Sequence, residues 1–256
     1  MTARKPIIVL VPGGCHYPQC FDLLTDRLQK HGFETLSIKN KSVIAPGEHL
    51  VESSHDDAIG VREVIMPLID EGKKIIVLGH SYGGIIVTDA CTGLGQRSSE
   101  AGGVVHLIYC SAFVLPEGDT GATLLQNPEL AAGLPSHFQS IEQDGTILRV
   151  RDEYAIDVFY NDVEPELAQK MVNSLGLQSF QAVIAPQQGC AYREIPSTYI
   201  RCEQDKAVFP HVQQYMADQA GIKDVVKLDT SHSPFLSKPD EVVAIIERIA
   251  RSKVAE

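Results

Sequence analysis

The sequence predicts an α/β protein, with a mostly parallel central sheet, helices on both faces and an inserted cap. Three observations carry this. Short runs of Val, Ile and Leu recur without polar alternation, as strands covered on both faces require. Between them lie segments whose apolar residues fall at helical spacing. The rhythm stops at Pro116 and resumes near Ser197, and the block between is rich in Gly, Pro and Gln. The boundaries are therefore a core domain over 1–115 and 196–256, interrupted by a cap over 116–195.

The elements follow in order. Residues 6–11 form a buried strand that Pro12-Gly13-Gly14 breaks. Phe21, Leu24 and Leu28 mark a helix closing at His31-Gly32, and residues 33–38 form a second strand. Residues 39–52 read as loop. Ser53 or Ser54 caps a helix carrying Ile59, Val61, Val64, Ile65 and Leu68, ended by Gly72. Lys74–Leu78 is the third strand, with a buried helix from Gly84, and Val104–Cys110 is the fourth. Short helices are expected in the insertion near Leu124 and over 164–175. Strand 197–202, helix 210–220, strand 225–228 and helix 239–249 complete the core. The insertion is expected over the carboxyl ends of the strands, where open α/β sheets bind ligands.

Composition narrows the function. The chain has 256 residues and a net charge of −11, which argues against nucleic acid or an anionic membrane as partner. The apolar run 7–11 is too short for a signal sequence, and no stretch reaches membrane length, so a cytoplasmic location is expected. The six cysteines include no Cys-x-x-Cys pair, so no disulfide framework is expected; Cys91, Cys110 and Cys202 read as small buried hydrophobes. The nine histidines show no His-x-x-x-His spacing for a metal. His31, His49, His55, His137 and His211 read as solvent-accessible. The loop after the first strand lacks Gly-x-Gly-x-x-Gly, and no phosphate-binding loop is present, so no cofactor is expected.

The chemistry centres on Gly79-His80-Ser81-Tyr82-Gly83, which directly follows the third strand. Gly-x-Ser-x-Gly between strand and helix is a nucleophile elbow, a tight turn that lifts the Ser hydroxyl above the sheet edge. The plainer reading is a Gly-rich turn with an exposed Ser. A Ser nucleophile needs a base, and the base needs an orienting carboxylate. In chain order Ser, acid, His, two residues fit: Asp205, just past the strand ending at Cys202, and His232, past the last strand. Glu203 and Asp229 are alternative acids. An oxyanion needs two backbone donors. These are assigned to the N–H of Tyr82 and of Gly14, with Cys15 as the fallback. Cys15, Phe159 and Tyr160 are candidate substrate-binding residues. Leu167 and Met171, at helical spacing, fit the cap's own core better.

With these residues placed, the chain resembles the α/β-hydrolase superfamily over its whole length. More narrowly, it is similar to the branch holding plant methyl-ester esterases of the salicylate-binding type, hydroxynitrile lyases and their microbial relatives. The matching pieces are Ile8–His16, the elbow, Arg201–Lys206 and Ser231–Leu236. The branch usually has His-Gly after the first strand; here Pro12-Gly13 stands there, which keeps the backbone amides. Hydroxynitrile lyases of the branch carry a Thr beside the oxyanion loop and a Lys after the catalytic His; Gly13 and Ser233 occupy those positions here. Without that ammonium the lyase reading loses its electrostatic basis. The resemblance implies a homodimer. The expectation is a cofactor-free serine hydrolase acting on a small-molecule ester or lactone. The alternatives are lyase or C–C bond cleavage with the same triad, or a receptor-like binding protein with little turnover.

Overall fold

The computed structural model describes residues 5–45, 47–98, 101–127, 130, 141–143 and 145–254. The strands are β1 (Ile7–Val11), β2 (Thr35–Ser37), β3 (Val43–Ile44), β4 (Lys74–His80), β5 (Gly103–Cys110), β6 (Ile141–Gln143), β7 (Ile147–Val150), β8 (Leu177–Ser179), β9 (Ser197–Cys202) and β10 (Asp224–Leu228). The helices are α1 (Asp22–Lys30), α2 (Ser54–Asp70), α3 (Gly83–Cys91), α4 (Gly121–Leu125), α5 (Asp152–Phe159), α6 (Pro165–Val172), α7 (Phe180–Ile184), α8 (Pro210–Gln219), α9 (Pro234–Ser237) and α10 (Pro239–Val254). His137 lies outside the described residues, as does 131–140 of the insertion.

Six strands form one sheet in the order β10-β9-β5-β4-β1-β2, every pair parallel. Alternate residues of each strand feed opposite faces. Ile8, Leu10, Ile76, Leu78 and Ile108 pack with Leu24 and Leu28 of α1 and with Val242 and Ile246 of α10. Ile7, Val9, Ile75, Val77 and Leu107 pack on the other face with Val61 and Ile65 of α2, Ile86 of α3 and Met216 of α8. Each fully buried Ile or Leu is worth roughly 1.5–3 kcal/mol over its exposed state. A polar residue on either face would forfeit that gain, which is why these strands read as unbroken apolar runs.

The structure departs from the sequence reading most in the insertion, where that reading has no β6, β7, β8, α5 or α7, at the last helix, which runs on to Val254, and at three points of the N-terminal half. The second strand shrinks from 33–38 to Thr35–Ser37, because at the sheet edge it has only β1 to pair with, over three residues. The third strand extends to His80. Inside 39–52, read as loop, Val43 and Ile44 form β3, which pairs antiparallel with β8 (Val43 with Gln178, Ile44 with Leu177). β3 is the edge of a second, four-stranded antiparallel sheet in the order β3-β8-β7-β6. Its other strands come from the insertion, so the insertion's sheet is completed by a piece of chain far upstream.

Candidate active site

β4 runs into α3 through Ser81, whose φ is +53°. That region disfavours L side chains and costs on the order of 1–3 kcal/mol, so it persists only where the surroundings hold it. Ser81 is held firmly. Its N–H donates to Cys110 O at 3.2 Å, and its carbonyl accepts from Gly84 N at 2.9 Å and Phe113 N at 3.1 Å. The helix passes so close that a Cβ on Gly84 would lie 2.2 Å from Phe113 O, and one on Gly83 2.5 Å from Val11 O. Among the described residues two further non-glycine residues have positive φ, Cys15 at +62° and Ser111 at +47°. They follow β1 and β5, the two strands that flank β4. The strain is therefore gathered at the carboxyl ends of three adjacent strands.

Asp205 stands three residues past β9, and His232 four past β10. Both side chains are fully buried, and His232 Nδ1 lies 2.8 Å from Asp205 Oδ2. The carboxylate is otherwise saturated. Oδ1 accepts from Ala207 N at 2.8 Å and Val208 N at 2.9 Å, and Oδ2 also accepts from Gln213 Nε2 at 2.9 Å. Since a carboxylate only accepts, His232 carries its proton on Nδ1. Its Nε2 is then a free acceptor, buried and without a partner among the described residues. The other candidate acids are engaged elsewhere: Glu203 pairs with Arg201 at 2.7 Å, and the exposed Asp229 accepts from Gln204 at 2.9 Å.

His80, next to Ser81, ties the two halves together. Its Nε2–H donates to the backbone carbonyl of His232 at 3.0 Å, and the two rings lie 4.6 Å apart. On the other side, a Cβ on Gly13 would fall 2.9 Å from Ser81 Cβ, so the loop after β1 can approach the Ser only as glycine. His16 Nδ1–H donates to Gly14 O at 2.7 Å, and its Nε2 accepts from Tyr160 OH at 2.8 Å. The Gly14 and Tyr82 amides meet no acceptor among the described residues, whereas Cys15 N is already bonded to Gln178 Oε1 at 3.3 Å. Tyr82 is anchored from below, its OH donating to Asp57 Oδ2 at 2.8 Å.

Burial lowers His16 to about 4, with the Gly14 contact opposing. Burial likewise lowers His106 to about 4 and His80 well below its ordinary value. All three are neutral at pH 7. For His16 and His106 the unfolded chain takes up the proton near pH 6.5, while the folded chain resists until about pH 4. Stability is thus complete above about pH 6.5 and is lost as pH falls towards 4, by up to roughly 1.4 kcal/mol per pH unit per histidine. Asp57 and Asp89, raised by burial, act with the opposite sign at the acid end. Calorimetry between pH 7.5 and 4.5 should show a falling Tm. The His106→Gln variant, remote from the site and bonded only to Thr198, should flatten that slope by roughly a third. An unchanged slope would mean that His106 is not a buried neutral group.

Residues of the 116–195 insertion reach this constellation. Phe159, at the end of α5, lies against both His16 (5.1 Å between centroids) and His232 (5.5 Å). Tyr160 is fully buried, and its hydroxyl is spent on His16. Met171 is buried in the core, and Leu167 packs against it. The Cys15 thiol is buried, and burial pushes it up to about 12, which keeps it in the thiol form at neutral pH. A separate cavity between α4 and α8 is lined by Val114, Leu124, Leu130, Tyr215 and Met216. Sequence reasoning did not single out Asp57, Gln178 or Gln213. Each is a buried polar residue inside an ordinary element, and only the contact partners reveal it. Among the described residues no group of three or more His, Cys, Asp or Glu could hold a metal, and no helix is long and apolar enough to cross a membrane.

Comparison with known proteins agrees with this architecture. The chain is 32% identical over 249 residues to the alpha/beta hydrolase nvfD of Aspergillus novofumigatus, covering 96% of this chain and 97% of that one. It is 22% identical to methyl jasmonate esterase 1 of Vitis vinifera, covering 98% and 99%. The crystal structure of a pyrethroid hydrolase from Sphingobium faniae superposes with a TM-score of 0.79 at 23% identity, covering 98% and 99% of the two chains. The model of the alpha/beta hydrolase family matches residues 8–245, and the chain belongs to that family.

Proposed function

We propose that this protein is a serine hydrolase that cleaves a carboxylic ester or lactone through an acyl-enzyme. The observation that carries this reading is the buried Asp205–His232 pair, with Nδ1 occupied and Nε2 open. His232 hangs by its carbonyl from His80, the neighbour of the strained Ser81. Ser81 Oγ attacks the substrate carbonyl while His232 Nε2 takes its proton. Asp205 holds the imidazole in that tautomer and stabilises the imidazolium. The Gly14 and Tyr82 amides receive the oxyanion. The imidazolium returns its proton to the departing alkoxide, and a water activated by His232 then releases the acid. Phe159 offers an apolar wall beside the base, which suits an ester with a hydrophobic acyl or alcohol part. The sequence requires no metal or organic cofactor for this chemistry.

Steady-state hydrolysis of p-nitrophenyl esters from acetate to octanoate tests the reading, together with labelling by a fluorophosphonate. The expected outcome is ester turnover with a chain-length optimum, and one phosphonyl adduct, mapped by mass spectrometry to the peptide holding Ser81. No turnover across the series, with cleavage of a carbon–carbon-linked ketone instead, would move the same residues to lyase-type chemistry. Saturable ligand binding without product would point to a receptor-like protein.

A further inference from the structure

We infer that the cap is a working part of the oxyanion hole: Gln178, with Gly176, grips Cys15 and thereby holds the Gly14 amide in its aim. This inference rests on the acyl-transfer reading. Its basis is the way one residue of the loop after β1 is held. Cys15 N–H donates to Gln178 Oε1 at 3.3 Å, and Cys15 O accepts from Gly176 N at 2.7 Å. Its thiol lies 3.9 Å from Leu148 O. Every polar atom of Cys15 is thus met by the insertion, and the residue sits at φ +62°, a conformation that needs outside support. The same Gly14–Cys15 peptide is held at its carbonyl too, since Gly14 O accepts from His16 Nδ1 and His16 Nε2 from Tyr160, just past α5, while His16 N donates to Gly13 O at 3.3 Å.

The need for such a grip follows from the loop's composition. Gly13-Gly14 has more backbone freedom than any other pair, and Gly13 must remain glycine to clear Ser81 and His80. A donor on a loose peptide would have to be ordered during the reaction, whereas one already aimed stabilises the developing charge without that cost. Gln178 can supply the constraint because it is itself immobile. It is fully buried, lies in the middle of β8, and is paired with Val43 on one side and Leu148 on the other. Its amide orientation follows from its partners: Oε1 must face the Cys15 N–H, and Nε2 donates to Ser179 O at 3.3 Å. The side chain also lies against Gly14, where an added Cβ would come within 3.3 Å of Oε1. Gln178 is therefore a positioning residue, acting on the reaction through Cys15 and Gly14.

The test is Gln178→Met, which keeps length and volume but removes the acceptor. The expected result is a fall in kcat of about 10- to 100-fold for both p-nitrophenyl acetate and octanoate, with KM within about threefold. Affinity for a trifluoromethyl ketone, which adds Ser81 as a tetrahedral oxyanion, should weaken in parallel, while affinity for the matching methyl ketone should hold. Should the methionine variant fail to fold, Gln178→Asn, too short to reach Cys15, carries the same expectation. A variant with a lower Tm but unchanged kcat and unchanged trifluoromethyl ketone affinity would overturn the inference, leaving Gln178 a packing residue. A change in KM that grades with acyl length at constant kcat would also overturn it, by placing Gln178 in the substrate pocket. If wild-type protein hydrolyses none of the esters, the acyl-transfer reading fails and takes this inference with it.

Discussion

The Ser81→Ala variant is expected to lose about 10⁵- to 10⁶-fold in kcat on p-nitrophenyl esters while keeping its fold. Two features of the elbow support both halves of that expectation. The hydroxyl is the only part of the residue that the proposed chemistry uses, and its removal leaves Asp205, His232 and both amides in place. Residual activity should then be what donors and binding alone supply. The conformation at φ +53° is held by three backbone hydrogen bonds, which alanine makes equally well. Alanine is no more strained there than serine, so Tm should shift by little. Fluorophosphonate labelling should vanish together with turnover. A variant with near-full activity would sink the serine mechanism outright.

Asp205→Asn is the second large effect, because the carboxylate's hydrogen bonds leave an amide no favourable orientation. The carboxylate accepts from four donors, two on each oxygen: the Ala207 and Val208 amides on Oδ1, and Gln213 Nε2 and His232 Nδ1 on Oδ2. An asparagine must put its NH₂ on one of these two sides and there confront two donors. Turned towards His232, it forces the imidazole into the other tautomer, with the proton on Nε2, where it cannot accept from Ser81. Turned away, it strands two buried amides. The expected loss is about 10⁴-fold in kcat, with a stability loss of roughly 1–3 kcal/mol for the stranded donors. Kinetics and thermal melts on the same preparation would read both. Activity within tenfold of wild type would mean that the imidazole is oriented by some other group. Glu203 and Asp229 are poorly placed for that, since Arg201 and Gln204 already hold them.

The core was legible in the sequence because burial on both faces leaves an unmistakable trace. β1, β4, β5 and β9 are short runs in which nearly every residue is buried, and they stand out from any background. Asp205 and His232 could be picked by position, since each follows a strand end in the expected order, though nothing in the pattern disclosed that they would touch. The cap was opaque for an equally physical reason. β6, β7 and β8 have three or four residues each, and β7 and β8 mix apolar and polar side chains. Strands that short give no periodicity to count. β3, two residues inside a loop, exists only because β8 arrives to pair with it. The polar supports were hidden in the same way. Gln213 and Gln178 look like any surface amide until their partners are seen, and Asp57 looks like an ordinary first-turn acid of α2.

The order of strands in the main sheet has a consequence for how the chain is made. β5 is central in the finished molecule, with all eight of its residues buried, yet its partner on one side is β9, which follows some ninety residues later. Until the last quarter of the polypeptide leaves the ribosome, Gly103–Cys110 is a long apolar edge with open N–H and C=O groups, a template for pairing with other nascent chains. The same late segment, from β9 to the loop after β10, brings Asp205 and His232. Protection of that edge and the proposed catalytic pair therefore arrive in one step, and a chain that stops short of β9 would not be a stable but idle protein; it would aggregate.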